Sequence, residues 1–126
     1  METIKIMGTE DTPSIILDRK TNVFEISGRS LPEDSGLFYE PIIEWFEDYK
    51  INPNHETTLT LKLVYFNTAS SKLILDILTI LEEINQSGKK VKINWYYPED
   101  DEDMQEAGEE FSDIIDLPFE HIPYEL

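Results

Sequence analysis

The sequence predicts an α/β domain: a mixed sheet with an antiparallel hairpin at one edge, parallel βαβ units beyond it, and helices packed on the sheet. Three observations carry this reading. Two short β-prone runs lie close together near the start of the chain. After them, strand-like and helix-like patterns alternate. One helical segment, Leu73 to Ile84, has an apolar face broad enough to imply deep packing on a sheet.

The elements follow in order. "SIILD" (14–18) and "NVFEIS" (22–27) are separated by "RKT", which suits a hairpin. "ETIKIMG" at the start is read as a further edge strand. "LPEDSG" is a turn cluster, and after it Phe38, Ile42, Trp45, Phe46 and Tyr49 recur at helical spacing. Pro41 falls in the first turn of that helix, where its missing N–H is harmless. Pro53 ends it, because the residue before a proline avoids the helical region. In "TTLTLKLVYF" (57–66), Leu59, Leu61 and Leu63 alternate with polar residues, giving the clearest strand in the chain. The helix carrying Leu73, Ile74, Ile77, Leu78, Leu81 and Ile84 stops at Gly88. "KVKINWYY" (90–97) is the next strand, and the acidic stretch after it opens a helix closing near Ile115. "LPFEHIPY", with two prolines, reads as a final edge strand.

A chain of 126 residues is one domain, 1–126, and 40% hydrophobic residues supply its core. The absence of cysteine excludes disulfides, thiolate catalysis and cysteine-ligated zinc. No apolar run is long enough to span a bilayer, and "METIKIMGTED" lacks the pattern of a signal peptide, so a cytoplasmic protein is expected. The formal net charge of −17 repels phosphate backbones and anionic lipids. Neither nucleic acid nor membrane is therefore an expected partner.

Parallel strands joined through helices collect their outgoing loops on one rim of the sheet. Here those loops are "GRSLPEDSG", "NTASSK" and "PEDDED". The middle one gathers three hydroxyls, Thr68, Ser70 and Ser71, at a helix start. One of them, Thr68 or Ser70, is expected to cap the helix. A cap needs one hydroxyl, and the surplus suits a phosphorylation switch, because a helix N-terminus tolerates a phosphate that a docked partner would not. Nucleophilic catalysis by Ser70 or Ser71 lacks a base: His55 lies at the other end of the preceding strand, and there is no G-x-S-x-G turn.

"GRSLPED", "FYEPIIEWFEDY" and "VYFNTASSKLILDIL", in this order and spacing, resemble the SiaC-type regulatory phosphoproteins over most of the chain. That family resembles STAS domains, the fold of anti-sigma-factor antagonists. The resemblance implies a non-enzymatic switch without cofactor or metal. A cognate serine/threonine kinase with a histidine-kinase-like ATPase fold would phosphorylate Thr68, and a PP2C-type phosphatase would reverse it. The partner implied is a diguanylate cyclase, linking the switch to cyclic di-GMP and biofilm control. Asn67, Ala69, Ser70, Ser71 and Lys72 would face kinase and partner, and Ser30, Leu31, Pro32, Glu33 and Asp34 would form the adjacent contact loop. Leu31, Asp34 and Ala69 depart from the family pattern, where an aromatic, an asparagine and a serine are common; these changes bear on partner identity.

The acidic run Glu99 to Asp103 fails both EF-hand registers, since Glu106 or Ile114 occupies a required position. It reads as a solvated helix start. His55 and His121 are too few and too separated for zinc. Trp45, Phe46 and Tyr49 read as core, while one of Trp95, Tyr96 and Tyr97 is expected at the rim as an interface anchor. The alternative to a switch is an acidic module that occupies a basic partner surface by charge alone, indifferent to Thr68.

Overall fold

The computed structural model describes residues 2–126. Strand β1 (Ile4–Ile6), β2 (Ser14–Asp18) and β3 (Val23–Ser30) come first, then α1 (Ser35–Ile51), β4 (Glu56–Phe66), α2 (Thr68–Gln86), β5 (Lys90–Pro98), α3 (Glu102–Ile114) and β6 (Phe119–Tyr124). The six strands form one sheet in chain order. The pairs β1–β2 and β2–β3 are antiparallel, and β3–β4, β4–β5 and β5–β6 are parallel. The mixed sheet, its antiparallel edge and the parallel βαβ units are thus as the sequence predicts.

Parallel strands laid down in one direction by right-handed crossovers place every helix on the same face. Side-chain burial agrees. In β4, Thr57, Leu59, Leu61 and Leu63 are buried, while Thr58, Thr60, Lys62 and Val64 are only half-buried. The core lies between this face and the helices, with Ile15, Leu17, Phe24, Ile26, Ile93 and Trp95 from the sheet. From the helices come Ile42, Trp45, Phe46 and Tyr49, and Ile74, Ile77, Leu78, Leu81 and Ile84. Trp45 and Tyr49 stack at 5.2 Å and close over Phe24, so the aromatic repeat of α1 is core.

One irregularity shapes the rim. Gly28 pairs with Leu63 but Arg29 pairs with Tyr65, so β4 carries an extra residue at this point. Gly28 has φ +97°, a conformation costly for residues with a Cβ. Beyond the bulge, alternation in β4 is reset. Phe66 turns toward Trp95 and Phe111, and Tyr65 turns outward, 50% exposed.

Candidate functional site

The carboxyl ends of β3, β4 and β5 meet along one rim, joined to their helices by residues 31–34, by Asn67 alone and by residues 99–101. The central connection is shorter than "NTASSK" implies, because α2 begins at Thr68. The cap is also a different residue from the one expected. Asn67 Oδ1 accepts from the Ser70 amide at 2.8 Å, and the Asn67 carbonyl accepts from the Ser71 amide at 3.0 Å. An asparagine amide reaches the N3 amide as well as a hydroxyl does, so neither Thr68 nor Ser70 is needed for that work.

Ser70 is engaged elsewhere. It is 0% exposed, as is Ser30, so the expectation that these two face a kinase or partner is corrected. Ser30 Oγ donates to Ser70 Oγ at 2.9 Å, and Ser70 Oγ donates to the Ser30 carbonyl at 3.1 Å. With the Ser30 proton so placed, the Tyr39 hydroxyl is the donor in its 2.6 Å bond to Ser30 Oγ. Ser35 Oγ stands 3.5 Å from Ser70 Oγ. Burial pushes the Tyr39 phenol above its ordinary pKa. Pairing explains why these residues are inside: a buried hydroxyl is tolerated when its hydrogen bonds are made.

Thr68 and Ala69 are exposed, Ser71 is half-buried, and Lys72 is exposed. Thr68 makes no side-chain hydrogen bond among the described residues. Lys72 Nζ lies 3.9 Å from Asp76, a long contact between solvated groups worth little. In the neighbouring loop, Glu33 and Asp34 are exposed, Leu31 is half-buried, and Pro32 is buried, so Pro32 shapes the loop and does not face outward. Asp34 caps α1 by accepting from the Leu37 amide at 3.0 Å. The Leu31 amide donates to the Asp11 carbonyl at 2.7 Å, which brings the β1–β2 connection to the same rim.

The third loop starts α3. Asp101 accepts from the Met104 amide at 3.0 Å, and Glu102 and Asp103 occupy the first turn, where the helix dipole favours them. His55 precedes β4, at the far end from Thr68, and His121 lies in β6. The exposed rim aromatic is Tyr65, with the Arg29 guanidinium 6.0 Å from its ring centre, whereas Trp95 is buried and Tyr96 and Tyr97 are half-buried. Strand alternation alone places Tyr65 in phase with Leu63, inside; only the bulge turns it out. Among the described residues, no helix is long and apolar enough to cross a membrane.

Known proteins match this arrangement closely. Residues 6–124 match the family described as SiaC family regulatory phosphoprotein. A Pseudomonas aeruginosa (strain UCBPP-PA14) protein is 35% identical over 119 residues, 94% of each chain. The crystal structure of apo-SiaC from Pseudomonas aeruginosa superposes with a TM-score of 0.88 at 34% identity, covering 97% of this chain and 99% of that one. SiaC in the crystal structure of the diguanylate cyclase SiaD in complex with its activator SiaC, also from Pseudomonas aeruginosa, superposes with a TM-score of 0.89 at 34% identity, covering 96% and 99%. With a family match over nearly its whole length and the same fold at this identity, the chain belongs to the SiaC family of regulatory phosphoproteins.

Proposed function

We propose that this protein is a phosphorylation switch whose acceptor is Thr68 and whose output is the release or capture of a partner protein. The observation that carries the reading is the contrast within one helical turn: Ser70 is sealed in a hydroxyl network, while Thr68 stands exposed at the first position of α2. A kinase transfers the γ-phosphoryl group of ATP to Thr68 Oγ1; the hydroxyl proton is lost and ADP leaves. A PP2C-type phosphatase returns the hydroxyl by hydrolysis, releasing inorganic phosphate.

The fold accommodates the added charge of about −1.5 to −2 because the positive end of the α2 dipole lies beside it. A docked partner does not accommodate it. An unpaired charge buried in an interface costs about 2–5 kcal/mol, or roughly 30- to several-thousand-fold in affinity. Ala69, Ser71, Lys72, Leu31, Glu33 and Asp34 border the acceptor and form the contact surface. Asn67, Pro32, Ser30 and Ser70 hold that surface in shape.

The complex of SiaC with the cyclase SiaD supports a diguanylate cyclase as partner. Its activation by the unphosphorylated form would link the switch to cyclic di-GMP and biofilm control in the cytoplasm. The test is a pull-down of the cyclase by wild type, Thr68→Ala and Thr68→Asp. Retention by the first two and loss by Thr68→Asp, with an unchanged circular dichroism spectrum, is expected. Equal retention by all three contradicts the gate and favours an interaction by charge alone.

A further inference from the structure

We propose that the groove between the carboxyl end of β4 and the start of α3 receives a partner segment in which an apolar side chain is flanked by lysine or arginine. Tyr65, Phe66, Asp101, Asp103, Met104 and Ala107 line it. Phe66 and Ala107, both half-buried, and the buried Met104 supply an apolar lining, and half-exposed Tyr65 offers an aromatic face. Its volume of about 250 Å³ is below the range of about 300–1,000 Å³ common for small-molecule sites, which suits an anchoring side chain.

The charge at its edge selects what accompanies that anchor. Asp101 and Asp103 are the ionisable lining groups besides Tyr65, no lysine or arginine lines the groove, and neither carboxylate forms a salt bridge among the described residues. Asp101 is held in place by its bond to the Met104 amide. The net charge of −17 draws cationic partners toward the whole molecule, and the groove gives them a place to dock.

Phe66 is two residues before Thr68, so groove and acceptor share a rim. Any effect of phosphorylation on this docking rests on the switch proposed above; the groove itself does not. A fluorescein-labelled peptide carrying a Leu-Phe pair between two Lys-Arg pairs, followed by fluorescence anisotropy, tests it. Wild type should bind. Ala107→Trp, which fills the groove, Tyr65→Ser and Asp103→Lys should each weaken binding about tenfold or more, the loss expected of an interface anchor. Glu44→Lys, the same charge change at an exposed position of α1, should weaken it less than about threefold, as a screened charge outside the groove does. Thermal melts establish that each variant is folded; if Ala107→Trp is not, Tyr65→Ser reads the same wall. No binding by wild type, or equal losses in Glu44→Lys and Asp103→Lys with the folded groove variants silent, overturns the proposal. Phosphate uptake at Thr68, measured on the same variants, keeps the two readings separate: failed uptake with intact peptide binding contradicts the switch and spares the groove.

Discussion

Ser70 and Ser30 are joined twice, by a 2.9 Å bond between their hydroxyls and a 3.1 Å bond from the Ser70 hydroxyl to the Ser30 carbonyl. That pairing ties the first turn of α2 to the end of β3 and removes one of three neighbouring hydroxyls from solvent. Ser70→Ala should cost about 1–3 kcal/mol in urea denaturation, because the Ser30 hydroxyl loses its acceptor inside the protein. Phosphate uptake at Thr68 should persist in the folded fraction.

The helix cap makes a separate prediction. Asn67→Ala should destabilise by about 0.5–2 kcal/mol, whereas Asn67→Asp or Asn67→Ser should stay close to wild type, since aspartate and serine cap equally well. Thermal denaturation of the three variants reads this directly. Equal losses in all three would mean that Asn67 matters for something other than its acceptor oxygen.

Much of this was legible from residue order. The hairpin, the three parallel crossovers and the aromatic core of α1 follow from periods of two and of about 3.6, and from the boundaries near Pro53 and Gly88. Pro41, expected in the first turn of its helix, instead lies inside α1, which begins at Ser35. The rim was located by topology. Three details were not legible, each for a physical reason. The cap went to Asn67 because asparagine and hydroxyl residues compete on nearly equal terms at that position. The burial of Ser70 is not readable locally because its partners, Ser30 and Ser35, lie 40 and 35 residues away. The outward turn of Tyr65 depends on the bulge opposite Gly28 and Arg29, a matter of pairing between strands that residue order alone does not carry.

Gly108 is set against the Trp95 indole, and a methyl group there would collide with the ring. Trp95 Nε1 also donates to the Met104 carbonyl at 3.0 Å on the same helix. Gly108→Ala normally improves a helix by about 1 kcal/mol. Here it should destabilise by about 1–3 kcal/mol, because overpacking dominates. Chemical denaturation, with a changed near-ultraviolet tryptophan signal, checks the sign.

Alkaline stability should report on Tyr39. Its folded pKa is raised, so the folded state keeps its proton where the unfolded chain has lost one. Stability should be flat below the ordinary tyrosine pKa of about 10 and fall as pH climbs from there toward the raised folded value. Tyr39→Phe should show a shallower fall. An unchanged slope would mean that other groups dominate the alkaline limb.

The proposed switch requires that a single hydroxyl, that of Thr68, be offered to the kinase. Phosphosite mapping by mass spectrometry after incubation with the cognate kinase and ATP tests it most directly. One phosphate on Thr68, none on Ser70 or Ser71, and none on Thr68→Ala is the predicted result. A phosphate on Ser70, or undiminished incorporation in Thr68→Ala, would contradict it.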